Sequence, residues 1–166
     1  MTNAARIAVT PLHDDHTGDE RTQRVAEHLA RVGVRIGAQR VELHHRRDDL
    51  VEVAAWWGAL GHGQDLTDRV GAVPVAWFPW SLGHVRPLES LFVQNAATLA
   101  VTPGGVRLGE LGYASVLHLP VYDDQRLTGA VCAYWVTERL DWDQGARHQL
   151  AEWARAALAL LPVAAG

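Results

Sequence analysis

Leu111-Gly112-Tyr113-Ala114-Ser115-Val116-Leu117-His118-Leu119-Pro120-Val121-Tyr122-Asp123-Asp124-Gln125-Arg126-Leu127-Thr128-Gly129-Ala130-Val131-Cys132-Ala133-Tyr134-Trp135-Val136 is the stretch whose reading decides the fold. Two runs rich in Val, Leu, Tyr and Trp flank an Asp-rich turn, the pattern of two antiparallel strands joined tightly. A short loop follows, then an Ala/Leu-rich segment with Leu150, Trp153, Ala154, Ala157, Leu158 and Leu161 on one helical face. Asp143 stands where an N-cap would, and Pro162 where such a helix must stop.

Towards the N-terminus the chain repeats this logic in reverse order. Asp19 is placed to cap a helix from Glu20 to Ile36, with Val25, Leu29, Val32 and Ile36 as its apolar stripe. Arg24, Glu27, Arg31 and Arg35 occupy its other face, while Gly33 weakens its end and Gly37 terminates it. Arg40 to Arg46 alternates as a strand, Arg47-Asp48-Asp49 is a turn, and Leu50 to Trp57 returns. Between these halves the chain is broken by glycines, with a helical turn expected at Leu66 to Arg69. Val73-Pro74-Val75-Ala76-Trp77-Phe78-Pro79-Trp80-Ser81-Leu82 leads into a short helix that starts at Pro79 and stops before Pro87. Glu89 to Val93 is expected as a short strand, Gln94 to Gly105 as a loop, and Arg107 to Leu111 as a short helix.

The order and spacing of these pieces resemble the GAF domain, the small sensor module of signalling proteins. The residues that carry the likeness are Leu111-Gly112, Ser115 to Pro120, Asp123-Asp124 and Arg126-Leu127-x-Gly129, and it extends from about Glu20 to Leu161. The Phe78-Pro79-Trp80-x-Leu82 segment is similar to one that borders the ligand cavity in some bacterial members. The resemblance implies an α+β fold of the GAF (PAS/profilin-like) type. One antiparallel sheet would carry the terminal helices on one face and short helices over a pocket on the other. Residues 1–18 are expected as a flexible lead-in, 19–162 as a single domain and 163–166 as a tail.

Strand alternation then sorts the side chains. Val41, Leu43, Ser115, Leu117, Leu119, Val131, Ala133 and Trp135 would lie under the terminal helices. Glu42, His44, Val116, His118, Cys132 and Tyr134 would face the other way. In ligand-holding GAF domains that second face is the pocket floor. The resemblance therefore implies a ligand site of His44, Val116, His118, Cys132 and Tyr134, with Trp77, Phe78, Trp80 and His84 as wall or lid. His118 reads either as a hydrogen-bonded core residue or as a partner for a ligand carboxylate or a haem iron. Trp57, Trp77 and Trp80 read more readily as packing than as ligand contacts, and Trp135 and Trp153 as core. Trp142 matches an aromatic that staples the last helix. No cofactor is identified by any motif.

Composition bounds the alternatives. The chain has 166 residues, net charge −4, and basic residues that are all Arg. It suits one domain with no broad attraction to nucleic acid or anionic lipid. Without Lys there is no Schiff base and no Asn-Lys-x-Phe signature of cyclic-nucleotide GAF domains. The single Cys132 excludes an internal disulfide and Cys-rich metal sites, and its mid-strand apolar setting is expected to raise its pKa and make it inert. The His13-Asp14-Asp15-His16 stretch is read as solvated rather than metal-binding. No apolar run spans a bilayer and no secretory signal opens the chain, so a cytoplasmic, non-enzymatic protein is expected. The resemblance implies a small-molecule ligand and an effector domain or signalling partner. A dimerisation or scaffold module with no ligand is the alternative, and a small redox enzyme is the least favoured reading. A homodimer through the terminal helices is expected too, since the last helix carries Ala154, Ala157 and Leu161 beyond what the sheet requires.

Overall fold

The computed structural model describes residues 6–9, 17–59, 72–74, 90–100 and 105–161. The elements in chain order are β1 (Arg6–Val9), α1 (Thr17–Ile36), β2 (Arg40–Arg47), β3 (Leu50–Gly58), β4 (Val73–Pro74), β5 (Leu91–Val93), β6 (Ser115–Asp123), β7 (Arg126–Trp135) and α2 (Arg147–Leu160). Short 3₁₀ turns at Leu108–Leu111 and Gln144–Ala146 precede β6 and α2. The strands form one antiparallel sheet in the order β1-β3-β2-β7-β6-β5, with β4 also paired to β3. This is the α+β arrangement that the resemblance to GAF domains implied.

Two turns show why the chain folds back where it does. Asp123 pairs with Arg126, so the β6–β7 turn is Asp124-Gln125, with φ of 43° and 67°. Positive φ at both central residues is the turn whose twist matches the flanking strands. At the end of α1, Gly37 has φ of 66°. Its N–H reaches the Val34 carbonyl at 3.4 Å, and the Ala38 N–H reaches Gly33 at 3.0 Å. That pair of bonds is the Schellman termination, which favours glycine because a Cβ is penalised there.

The apolar core lies between the sheet and the two helices. Val25, Leu29, Val32 and Ile36 of α1 and Leu150, Ala154 and Ala157 of α2 cover Val41, Leu43, Leu117, Leu119, Val131, Ala133 and Trp135. Trp135 meets Phe92 edge-on at 5.9 Å, and its indole N–H donates to the Ile36 carbonyl at 3.4 Å. Trp142 is buried in the same core ahead of α2. Gly33, expected only to weaken α1, has a packing role: a Cβ there would stand 2.1 Å from the Trp57 ring.

Several expectations require correction. The 1–18 lead-in contains a strand, since Arg6–Val9 pairs with residues 55–58 of β3. The first helix starts at Thr17, so Asp19 lies inside it rather than capping it. Asp143 does not cap α2, because a 3₁₀ turn intervenes and its carboxylate instead pairs with Arg35 at 2.6 Å. Trp153 is only partly buried at the rim of the core, unlike Trp135. Of the stripe that motivated a homodimer, Ala154 and Ala157 are buried against the chain's own core, while Leu161 is half-buried. The expected turn at Leu66 to Arg69 and the helix between Pro79 and Pro87 lie outside the described residues.

Candidate ligand-facing site

Register places the polar residues of the other sheet face side by side. Glu42 stands opposite Cys132, and Cys132 opposite His118, so β2, β7 and β6 contribute one rung. The next rung is Arg40, Tyr134 and Val116. His44, Val116, His118, Cys132 and Tyr134 thus share the face turned away from α1 and α2, as alternation implied. Trp77, Phe78, Trp80 and His84 lie outside the described residues.

The rung is a bonded network. Glu42 is 4% exposed yet has three partners. The Arg40 Nε–H donates to one carboxylate oxygen at 2.7 Å, and the Tyr134 hydroxyl donates to the other at 2.8 Å. His44 Nε2 lies 2.9 Å from that same second oxygen. Arg40 is fully buried, with its guanidinium 4.2 Å from the centroid of the Trp56 ring. His44 also bonds the Cys132 thiol, whose sulfur lies 3.1 Å from His118 Nδ1. Tyr113 closes over Tyr134 with ring centroids 5.1 Å apart.

These contacts set the protonation states. Burial acts to raise the Glu42 pKa, but the Arg40 charge and the His44 and Tyr134 bonds bring it down to about 2. Burial acts to lower that of His44, but the Cys132 sulfur and the Glu42 carboxylate lift it to about 10. Burial opposes ionisation of Cys132, yet His118 and then His44 draw its thiol down to about 6. The Tyr134 hydroxyl is pushed well up, first by burial and then by the adjacent Glu42 charge. The expectation that apolar surroundings raise the Cys132 pKa is therefore reversed, because its immediate neighbours are two imidazoles.

Three members of the network escaped the sequence reading. Glu42 was assigned to this face but not to the site, and Arg40 and Trp56 were not singled out. The available signal was Arg40-x-Glu42-x-His44, three ionisable residues alternating with the apolar Val41 and Leu43. Trp57, by contrast, turns to the helix side and packs on Gly33. His45 also points away from the network, opposite Glu52, and burial and then Arg47 lower its pKa. Among the described residues no three His, Cys, Asp or Glu side chains converge as metal ligands.

The architecture has close counterparts among solved structures. A photoproduct-state GAF3 domain of Slr1393 from Synechocystis is 19% identical, with a TM-score of 0.64 over 83% of this chain and 90% of that one. The GAF domain/HD domain protein of Geobacter sulfurreducens is 12% identical, with a TM-score of 0.63 over 86% and 90%. A domain of a two-component sensor histidine kinase protein from Sinorhizobium meliloti is 15% identical, with a TM-score of 0.55 over 78% and 83%. The chain has the GAF fold. No family model and no curated protein matches its sequence. Within this GAF fold, the charged row of β2 and β7 lies in the middle of the sheet, on the face opposite the terminal helices.

Proposed function

We propose that this GAF module is a non-enzymatic, cytoplasmic sensor or regulatory unit of a bacterial signalling protein. Its receiving face is the one that bears Arg40, Glu42, His44, His118, Cys132 and Tyr134. Its output runs through α1 and α2 to an effector domain or a second subunit. The carrying observation is the buried row itself. Placing Arg40, Glu42 and His44 out of water costs several kcal/mol per ion before pairing returns it, and an apolar face would close the sheet without that cost. Each of these groups is a recognition element for a small polar ligand, and Glu42 joins three strand residues through one carboxylate. A ligand that takes over one of its bonds alters the balance among the others, which is the differential interaction a population shift requires. If the module works as a homodimer, the outer face of α1 is the surface we assign to it, where Val34 is 74% exposed beside Arg31 and Arg35.

A second reading, a ligand-free scaffold, draws on one specific feature. The Glu42 carboxylate is already satisfied internally, bonded on both oxygens, and the Tyr113 ring lies tilted against Tyr134. Native mass spectrometry of freshly purified protein, with an absorbance scan, separates the two. The sensor reading expects a retained small molecule whose mass is lost in Glu42→Gln and His118→Ala. A bare polypeptide mass, with no ligand raising the melting temperature in a metabolite screen, favours the scaffold.

A further inference from the structure

A recess of about 230 Å³ lies on the helix side of the molecule, away from the charged row. Residues 119–122 of β6 form one wall, and Arg147, His148, Ala151 and Arg155 of α2 form the other. Leu119 and Val121 point towards the helices and Pro120 points the opposite way. A recess lined by all three must therefore run along the edge of the strand. β5 pairs with β6 only at Val116, Leu117 and His118, so among the described residues no strand covers 119–121 on the edge of β6 away from β7.

The lining is apolar at its base and cationic at its rim. Leu119, Pro120 and Ala151 supply the base, while Arg147, His148 and Arg155 stand above it. Among the described residues no carboxylate lines the recess. Arg155 is held by Glu152, one turn back, but Arg147 has no ion pair among the described residues. Charge therefore selects an anion, and the base selects one with an apolar body. Size and Pro120 narrow the class further. The volume is below the ~300–1,000 Å³ of sites for drug-sized ligands. Pro120 sits within the β6–β7 ladder, a position proline tolerates only with its nitrogen on the open edge. That edge thus lacks a donor that an added peptide strand would need.

We propose that this recess binds a small organic carboxylate, with its carboxylate on the Arg147 guanidinium and its apolar body against Leu119, Pro120 and Ala151. A guanidinium matches a carboxylate with two parallel hydrogen bonds, and Arg155 closes the far end of the recess. A ligand seated there is wedged between the sheet and α2, so it biases the packing of one of the two terminal helices. The site is separate from the charged row, and failure of either leaves the other standing.

The test is a titration of ¹⁵N-labelled full-length protein with 3-phenylpropionate, followed by amide shifts. Saturable shifts are expected at residues 119–122 and along the first turns of α2. Arg147→Gln should weaken binding about tenfold, the neutral amide of the probe should bind about tenfold more weakly, and Ala151→Leu should abolish the shifts by filling the recess. Arg147 is half-buried and has no ion pair among the described residues, so Arg147→Gln is expected to fold, which the same spectra report. The proposal is overturned by non-saturable shifts at millimolar probe, by equal affinity for the amide, or by unchanged binding in Ala151→Leu.

Discussion

The two faces of one sheet are built on different terms. Under α1 and α2, apolar side chains from five strands and two helices fill the space, and each contributes mainly by volume. On the other face, Arg40, Glu42, His44, Cys132, His118 and Tyr134 are also buried, but they are joined through specific polar atoms around the Glu42 carboxylate and the Cys132 sulfur. The first face tolerates exchange among similar shapes, whereas the second depends on which atom carries a charge. A module that only needed a closed sheet would have two faces of the first kind.

The largest effect expected is on the polar face. Glu42→Ala leaves Arg40 and His44 buried without their shared carboxylate and should destabilise the fold by ~3–5 kcal/mol. Glu42→Gln keeps the shape yet should retain much of that loss. On the helix face the volume-conserving Leu117→Met should cost less than ~1.5 kcal/mol. Urea unfolding of the three variants measures the contrast, and a Glu42→Gln as mild as Leu117→Met would erase it.

The helix face has its own point of rigidity at Gly33. In an open helix position Gly→Ala stabilises by up to ~1 kcal/mol. Here the added Cβ would meet the Trp57 ring at 2.1 Å, so Gly33→Ala should destabilise by ~1–3 kcal/mol. A raised melting temperature would show that Trp57 moves aside at no cost. Trp153→Ala should be milder, at ~1–2 kcal/mol, because the ring sits at the core's rim and not within it.

The pH response sharpens the comparison further. Glu42 falls from 4.5 to about 2, so its contribution is complete above 4.5 and is lost as pH drops through about 2. His44 rises from 6.5 to about 10, so its contribution is complete below 6.5 and is lost as pH climbs through about 10. Cys132 falls from 9.0 to about 6, so its contribution is complete above 9.0 and is lost as pH drops through about 6. Between neutrality and pH 9.0 the His44 and Cys132 trends oppose each other, and stability should change little. Cys132→Ser removes the rising trend while Glu42 still lifts His44, so the variant should lose stability as pH rises over that interval. Denaturation midpoints at the two ends of the interval test this, and a flat variant would show that Cys132 alone, without help from Glu42, raises His44.

How much of this was legible in the sequence follows the same division. Periodicity and the Asp-rich turn were enough for β2, β3, β6 and β7, their faces and the apolar stripe of α1, because burial repeats with backbone geometry. His44, Val116, His118, Cys132 and Tyr134 could be placed on one face for the same reason. What they bond to could not, since Cys132 looks apolar along its own strand and meets His44 and His118 only across neighbouring strands. Arg40 reads as a strand-end cation until β3 brings Trp56 over it. Helix starts were misread at Asp19 and Asp143 because a good capping residue does not oblige the helix to begin there.

The claim on which this account rests is that charge is held inside the face away from the terminal helices. The ¹⁵N shifts of the His44 ring, recorded at about pH 8, test it most directly, since an unperturbed imidazole is neutral there. With Glu42 on one side and Cys132 on the other, both ring nitrogens should show the protonated imidazolium pattern, and Glu42→Gln should weaken it. A neutral tautomer in the unmodified protein at that pH would contradict the account.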